Sequence, residues 1–139
     1  MAIQQVSVFL ENKTGQMTAV IKKISDEGIN LRAMSVAEAR DFGVLRMIVS
    51  DAKKAKEVLE DRALVKLTDV IAVRMDDIAG ALYNVLEALT EADINVEYSY
   101  ASPIHHENAA VVIFRVDDAE AAEKVLAAKG FTFLSEADL

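Results

Sequence analysis

Two stretches of this chain hold residues whose types could do chemistry. In "SPIHHEN", His105 and His106 are followed by Glu107, all metal-ligating types. Neighbouring residues on a strand point to opposite faces, and nothing in the spacing supplies a third ligand, so a solvated loop is expected there and no metal. The other stretch is "FLENKTGQM", Phe9 to Met17, where an apolar strand-like run gives way to polar residues and a glycine before helical spacing begins. A loop at such a junction is either plain punctuation or the lip of a binding site. Familiar catalytic sets are missing. The chain has no cysteine, hence no thiolate nucleophile, no disulfide and no zinc site built on sulfur. It has no G-x-S-x-G, no P-loop, and no histidine placed in an acid/base set, so its carboxylates read as surface and an enzyme is not expected.

The elements that must position the loop come from an internal repeat. At one constant offset Gly15 falls on Gly80, Val8 on Val73, Val20 on Val85, Ile29 on Ile94 and Asn30 on Asn95. Met17, Val20, Ile21 and Ile24 have the spacing of one helix face, and Leu82, Val85, Leu86 and Leu89 repeat it. Before each helix the sequence alternates, with Val6, Val8 and Leu10 on one strand face and Ile71, Val73 and Met75 as their counterparts. Further on the offset lengthens by two residues, so that Asp51 matches Asp118, Val58 matches Val125 and Leu59 matches Leu126. The insertion lies near "SPIHHEN", a connection with the chain's one proline, where added length is tolerated most easily.

Between the two matched regions each half has two strand-like segments, 31–39 and 44–50 in the first and 96–102 and 110–116 in the second. A second helix follows, with Asp51 or Asp118 as its N-cap and Ala55, Val58 and Leu59 or their partners facing inward. Each half ends on a short apolar piece, "ALVKL" or "FTFL". The order is therefore β-α-β-β-α-β, twice. The expected class is α+β, with two tandem ferredoxin-like modules over residues 1–68 and 69–139, antiparallel sheets and helices on one face. That architecture places its strands 4-1-3-2 and leaves strand 2 on an edge, which invites pairing. A repeat of this length is also marginal alone, since a ~60-residue domain buries only ~60% of its unfolded surface. Side-by-side repeats and a homodimer are expected.

Composition narrows the partners. With 23 acidic against 15 basic residues the formal charge is −8, which opposes binding to a phosphate backbone. The RNA-recognition motif shares this element order, but its central strands carry paired aromatics among basic residues, whereas "VLRMIVS" and "VVIFRVD" offer one phenylalanine. No nucleic acid is expected. The N-terminus lacks the pattern of a signal peptide and no run approaches the ~20 apolar residues of a membrane span, so a soluble, cytoplasmic protein is expected. Tyr98 and Tyr100 share a strand face and are read as packing residues.

The stretch "ENKTGQMTAVIKKISDEGINLRAMSV" resembles the opening of an ACT domain, a small regulatory module that binds amino acids, and "MDDIAGALYNVLEALTEADINVEYSYA" resembles a second copy. The copies cover essentially the whole chain. The family's loop usually carries a proline just before the glycine; here Thr14 and Ala79 stand there. The resemblance implies a ligand held where the loop after strand 1 of one module faces the start of strand 2 in its neighbour. It assigns Asn12, Gly15 and Asn30 in the first copy and Asp77, Gly80 and Asn95 in the second. Lys13, Thr14, Gln16, Met17, Leu31, Asp76, Leu82 and Val96 would lie around them. Such a site suits a free amino acid: glycine admits the backbone, helix N–H groups attract a carboxylate, and asparagine both donates and accepts. One pocket would join Asn12, Thr14 and Gly15 to Asn95, with Lys13 favouring an anion. The other would join Asp76, Asp77 and Gly80 to Asn30, where two aspartates disfavour a carboxylate. The first is the expected amino-acid site. The implied protein is a small sensor needing no cofactor, or a ligand-free regulatory subunit of a biosynthetic enzyme acting through its strand edges.

Overall fold

The structure is a computed structural model that describes residues 2–104 and 107–139. The chain divides into two compact units, one of residues Gln4–Thr68 and one of Asp69–Leu139 with the N-terminal residues up to Ile3.

In the first unit the order is β1 (Ile3–Glu11), α1 (Gln16–Asp26), β2 (Leu31–Glu38), β3 (Phe42–Val49), α2 (Ala52–Leu59) and the start of β4 (Leu64–Asp76). β3 lies between β1 and β2, antiparallel to both, with Val8 opposite Leu45 and Val6 opposite Met47. Those four side chains face the helices and pack with Val20, Ile24, Ala55 and Leu59. Each Val, Leu or Ile so buried contributes roughly 1.5–3 kcal/mol.

The second unit repeats this with the rest of β4, α3 (Ala81–Glu91), β5 (Val96–Ala101), β6 (Ala109–Val116), α4 (Ala119–Ala128) and β7 (Thr132–Leu134). β4 is flanked by β6 and β7, and β6 carries β5, which is the 4-1-3-2 order of a ferredoxin-like module. Ile71, Val73, Val85, Leu89, Phe114 and Leu126 form the core beneath α3 and α4.

Two features depart from the sequence reading. The closing piece of the first half and the opening strand of the second are one continuous strand, β4, and the boundary after Thr68 falls inside it. Its sequence, "LVKLTDVIAVRMD", contains no glycine or proline to turn the chain, so extension simply continues. The second concerns the sheet face away from the helices. Val70 and Ala72 alternate with the core residues of β4 yet are buried, as are Ile48 and Ile113. Gln5 and Ser7 are buried on that side of β1, with the Gln5 Nε2 donating to Ser7 Oγ at 2.8 Å. The unbroken apolar run "VIAV" is the pattern of a strand covered on both faces.

Candidate functional site

The four helices begin in two different ways. Asp51 caps α2 by accepting from the Lys54 N–H at 3.0 Å, and Asp118 caps α4 by accepting from the Ala121 N–H at 2.9 Å. α1 and α3 start instead on glycines, Gly15 at φ 87° and Gly80 at φ 89°, with no side-chain cap. This left-handed backbone costs a residue with a Cβ roughly 1–2 kcal/mol, which is why glycine stands there. Among the described residues, no acceptor meets the N–H groups of Met17 and Thr18 at the start of α1, or of Leu82 and Tyr83 at the start of α3. Open donors at a helix N-terminus attract an anion.

The loop before α1 is tied to the β2–β3 connection and closed on itself. Asn12 N–H donates to the carbonyl of Asp41 in the β2–β3 turn at 3.0 Å, and Gln16 N–H to the Lys13 carbonyl at 3.3 Å. The Asn12 side-chain amide has no protein partner among the described residues. Beneath the loop is a cavity of about 120 Å³. Leu10, Leu45, Met17 and Val36 form its apolar walls, with Gly43 of β3 beside them. Glu11, Asn12, Lys13 and Gln16 form its polar rim. Met17, read both as part of the α1 stripe and as a residue around the loop, is 42% exposed. Sitting in the first turn, it overhangs the cavity, while Val20 and Ile24 one and two turns on cover the sheet. Lys13 Nζ lies 3.0 Å from Glu11 Oε2, so the rim is close to neutral rather than cationic.

The second loop has the same backbone. Asp77 N–H donates to the Asn108 carbonyl at 3.0 Å, as Asn12 does to Asp41. Its side chains differ: Asp76, Asp77 and Ile78 are exposed, and Leu82 stands 43% exposed in the position of Met17. Asp76 lines a separate cavity of about 420 Å³ with Arg74, Lys129 and Phe131.

Asn30 and Asn95 occupy matching places ahead of β2 and β5. Asn30 N–H donates to Ser50 Oγ and Ser50 N–H to the Asn30 carbonyl, both at 2.9 Å. Asn95 N–H donates to Asp117 Oδ1 at 3.1 Å and Asp117 N–H returns to the Asn95 carbonyl at 3.2 Å. Asn95 also lines a cavity of about 370 Å³ with Asp93, Ile94 and Asp117. Leu31 and Val96 follow as half-buried first residues of their strands, packed against the two cores. Within the first unit the loop and Asn30 lie at opposite ends of the sheet. The register runs from Glu11 opposite Phe42 to Leu31 opposite Val49, which at ~3.3 Å per residue is roughly 23 Å. Asn12 and Asn30 of one module therefore cannot touch the same small ligand. The structure gathers Asn12, Lys13, Gln16 and Met17 round one cavity, beside the loop residues Thr14 and Gly15. Leu10, Val36, Gly43 and Leu45 complete it and were not anticipated; their signal, apolar residues at the loop end of β1, β2 and β3, emerges only once the strand register is known.

Both loop glycines, both uncapped helices and both strand-2 asparagines recur in a duplicated βαββαβ frame, and the sequence matches the ACT domain pair family over residues 1–139. The chain belongs to that family. Protein BT0572 from Bacteroides thetaiotaomicron has a crystal structure that superposes with a TM-score of 0.92 at 38% identity, covering 99% of this chain and 95% of that one. The ligand-free regulatory subunit of aspartate kinase from Thermus thermophilus gives a TM-score of 0.67 at 17% identity over 90% of each chain. The aspartokinase alpha and beta subunits give 0.65 at 19%, again over 90% of each. At such identities the last two bear on the fold alone. A search of curated protein sequences returns no match.

Among the described residues of this ACT domain pair, no group of three His, Asp or Glu side chains could hold a metal ion, and no helix is long and apolar enough to cross a membrane. His105 and His106 lie outside the described residues. Tyr98 and Tyr100 are half-buried on one face of β5, alternating with exposed Glu97 and Ser99.

Proposed function

We propose that this ACT domain pair is a small regulatory protein that binds a free amino acid at the loop between β1 and α1. The observation that carries this reading is the uncapped start of α1 beside the cavity: open N–H groups at Met17 and Thr18 for a carboxylate, and the unengaged Asn12 amide oxygen for an ammonium. The loop before α3 shares the donors but adds two exposed aspartates, which repel a carboxylate. The first loop is thus the amino-acid site, and its rim is completed by a second copy of the chain in a homodimer.

The test is a thermal-unfolding screen of the purified chain against the common amino acids at millimolar concentration. A ligand at 100 times its Kd adds ~2.7 kcal/mol, which raises the midpoint by ~2–8 °C. One or two clear shifts, lost in Gly15→Asp, support the reading. A flat screen sinks it and favours a subunit that acts on an enzyme partner through the edge strands β2 and β5, each paired on one side only among the described residues.

A further inference from the structure

We infer that the ligand of this loop is a free α-amino acid with an aliphatic side chain of three or four carbons, an inference that rests on the amino-acid reading above and adds to it the nature of the side chain. The cavity separates the two ends of such a molecule. Its polar groups belong to the loop and the start of α1, where the carboxylate and ammonium would sit, and its interior walls are Leu10, Met17, Val36 and Leu45. Met17 and Val36 are 42% and 53% exposed, large for apolar residues beside a cavity, and an aliphatic group seated between them removes that surface from water.

Size and charge favour this class over the others. A three- or four-carbon chain fits a cavity of about 120 Å³, whereas an indole or a phenol would project from it into solvent. A charged side chain would enter apolar walls without a counter-ion, because the two formal charges at the rim, Lys13 and Glu11, already pair with each other.

The experiment is calorimetric titration of the full chain with alanine, α-aminobutyrate, norvaline, leucine, isoleucine, serine, aspartate, lysine and tryptophan. Affinity is expected to rise about fourfold per methylene from alanine to norvaline. Val36→Ser should flatten that rise while leaving alanine binding in place, and Met17→Gln gives the same readout from α1 should Val36→Ser disturb β2. If a polar, charged or aromatic amino acid binds more tightly than leucine and is lost in Gly15→Asp, the aliphatic assignment is wrong and the amino-acid site stands. Binding of no amino acid, or binding that Gly15→Asp leaves intact, overturns the site and the side-chain assignment together.

Discussion

Gly15 and Gly80 share one backbone conformation, and the loops they end are each tied by a 3.0 Å bond to the connection between the next two strands, from Asn12 to Asp41 in one unit and from Asp77 to Asn108 in the other. The side chains on that common backbone are another matter. Lys13 and Thr14 of the first loop are replaced by Ile78 and Ala79 in the second, Gln16 by the buried Ala81, and Glu11 and Asn12 by two aspartates. Ile78 is 69% exposed where Lys13 reaches Glu11. Duplication has thus kept what the main chain requires, a left-handed glycine and an anchored turn, and has let the polar groups diverge. The frame is common to both units and the chemistry is not.

Four comparisons would break or sharpen this. The largest effect should come from equivalent core positions: Leu59→Ala and Leu126→Ala, both fully buried, should each cost about 2–5 kcal/mol in denaturant unfolding. A cost confined to one of them would mean that the units do not share a frame. Gly15→Ala and Gly80→Ala come next, at roughly 1–2 kcal/mol each, because a Cβ at either site meets nothing within 4 Å and only backbone strain remains. Equal losses of stability, with amino-acid binding weakened only in the Gly15 variant, would place the functional difference in the side chains. Equal losses of binding would refute it.

Replacing the caps, Asp51→Ala and Asp118→Ala, should cost about 1 kcal/mol each and leave binding untouched, since neither residue lines the cavity beneath the first loop. A loss of binding here would show that capped helix starts also serve the ligand.

The smallest effect concerns the ion pairs that join the helical layers. Lys23 of α1 donates to Asp61 just beyond α2, and Lys129 after α4 pairs with Glu91 of α3, so the basic partner has changed places between the units. The Lys23 hydrogen bond holds the Asp61 carboxyl below its ordinary value. With the folded pKa depressed, the stabilisation is present above the unfolded value and disappears as pH falls through the folded one. Both partners are exposed enough for the effect to be slight. Asp61→Asn should lower the melting temperature slightly at pH 7 and not at all at pH 2, and an undiminished difference at low pH would rule out the ion pair as its cause.

Much of this was legible from the chain itself. Asp51 and Asp118 announced their helices, because a short acceptor side chain before an amphipathic run satisfies the backbone locally. Val6, Val8, Ile71 and Val73 showed their buried face by alternation, and the two glycines marked the loops. Other features were not legible. The exposure of Met17 and Leu82 was hidden because helical spacing describes a face without saying where the sheet beneath it ends. Lys13 looked like an anion attractor, since a formal charge in a sequence does not reveal that Glu11 two residues away will turn back to meet it.

Element type, order and duplication were therefore determined by the sequence alone, because they rest on bonds and contacts made within a few residues: caps, turn glycines, and the periods of strand and helix. Tertiary structure decided the burial of Gln5 and Ser7 and the cavity that Leu10, Met17, Val36 and Leu45 share. Each of these depends on which strand pairs with which, and in what register, and that is set by packing over the whole unit rather than by any local run of residues.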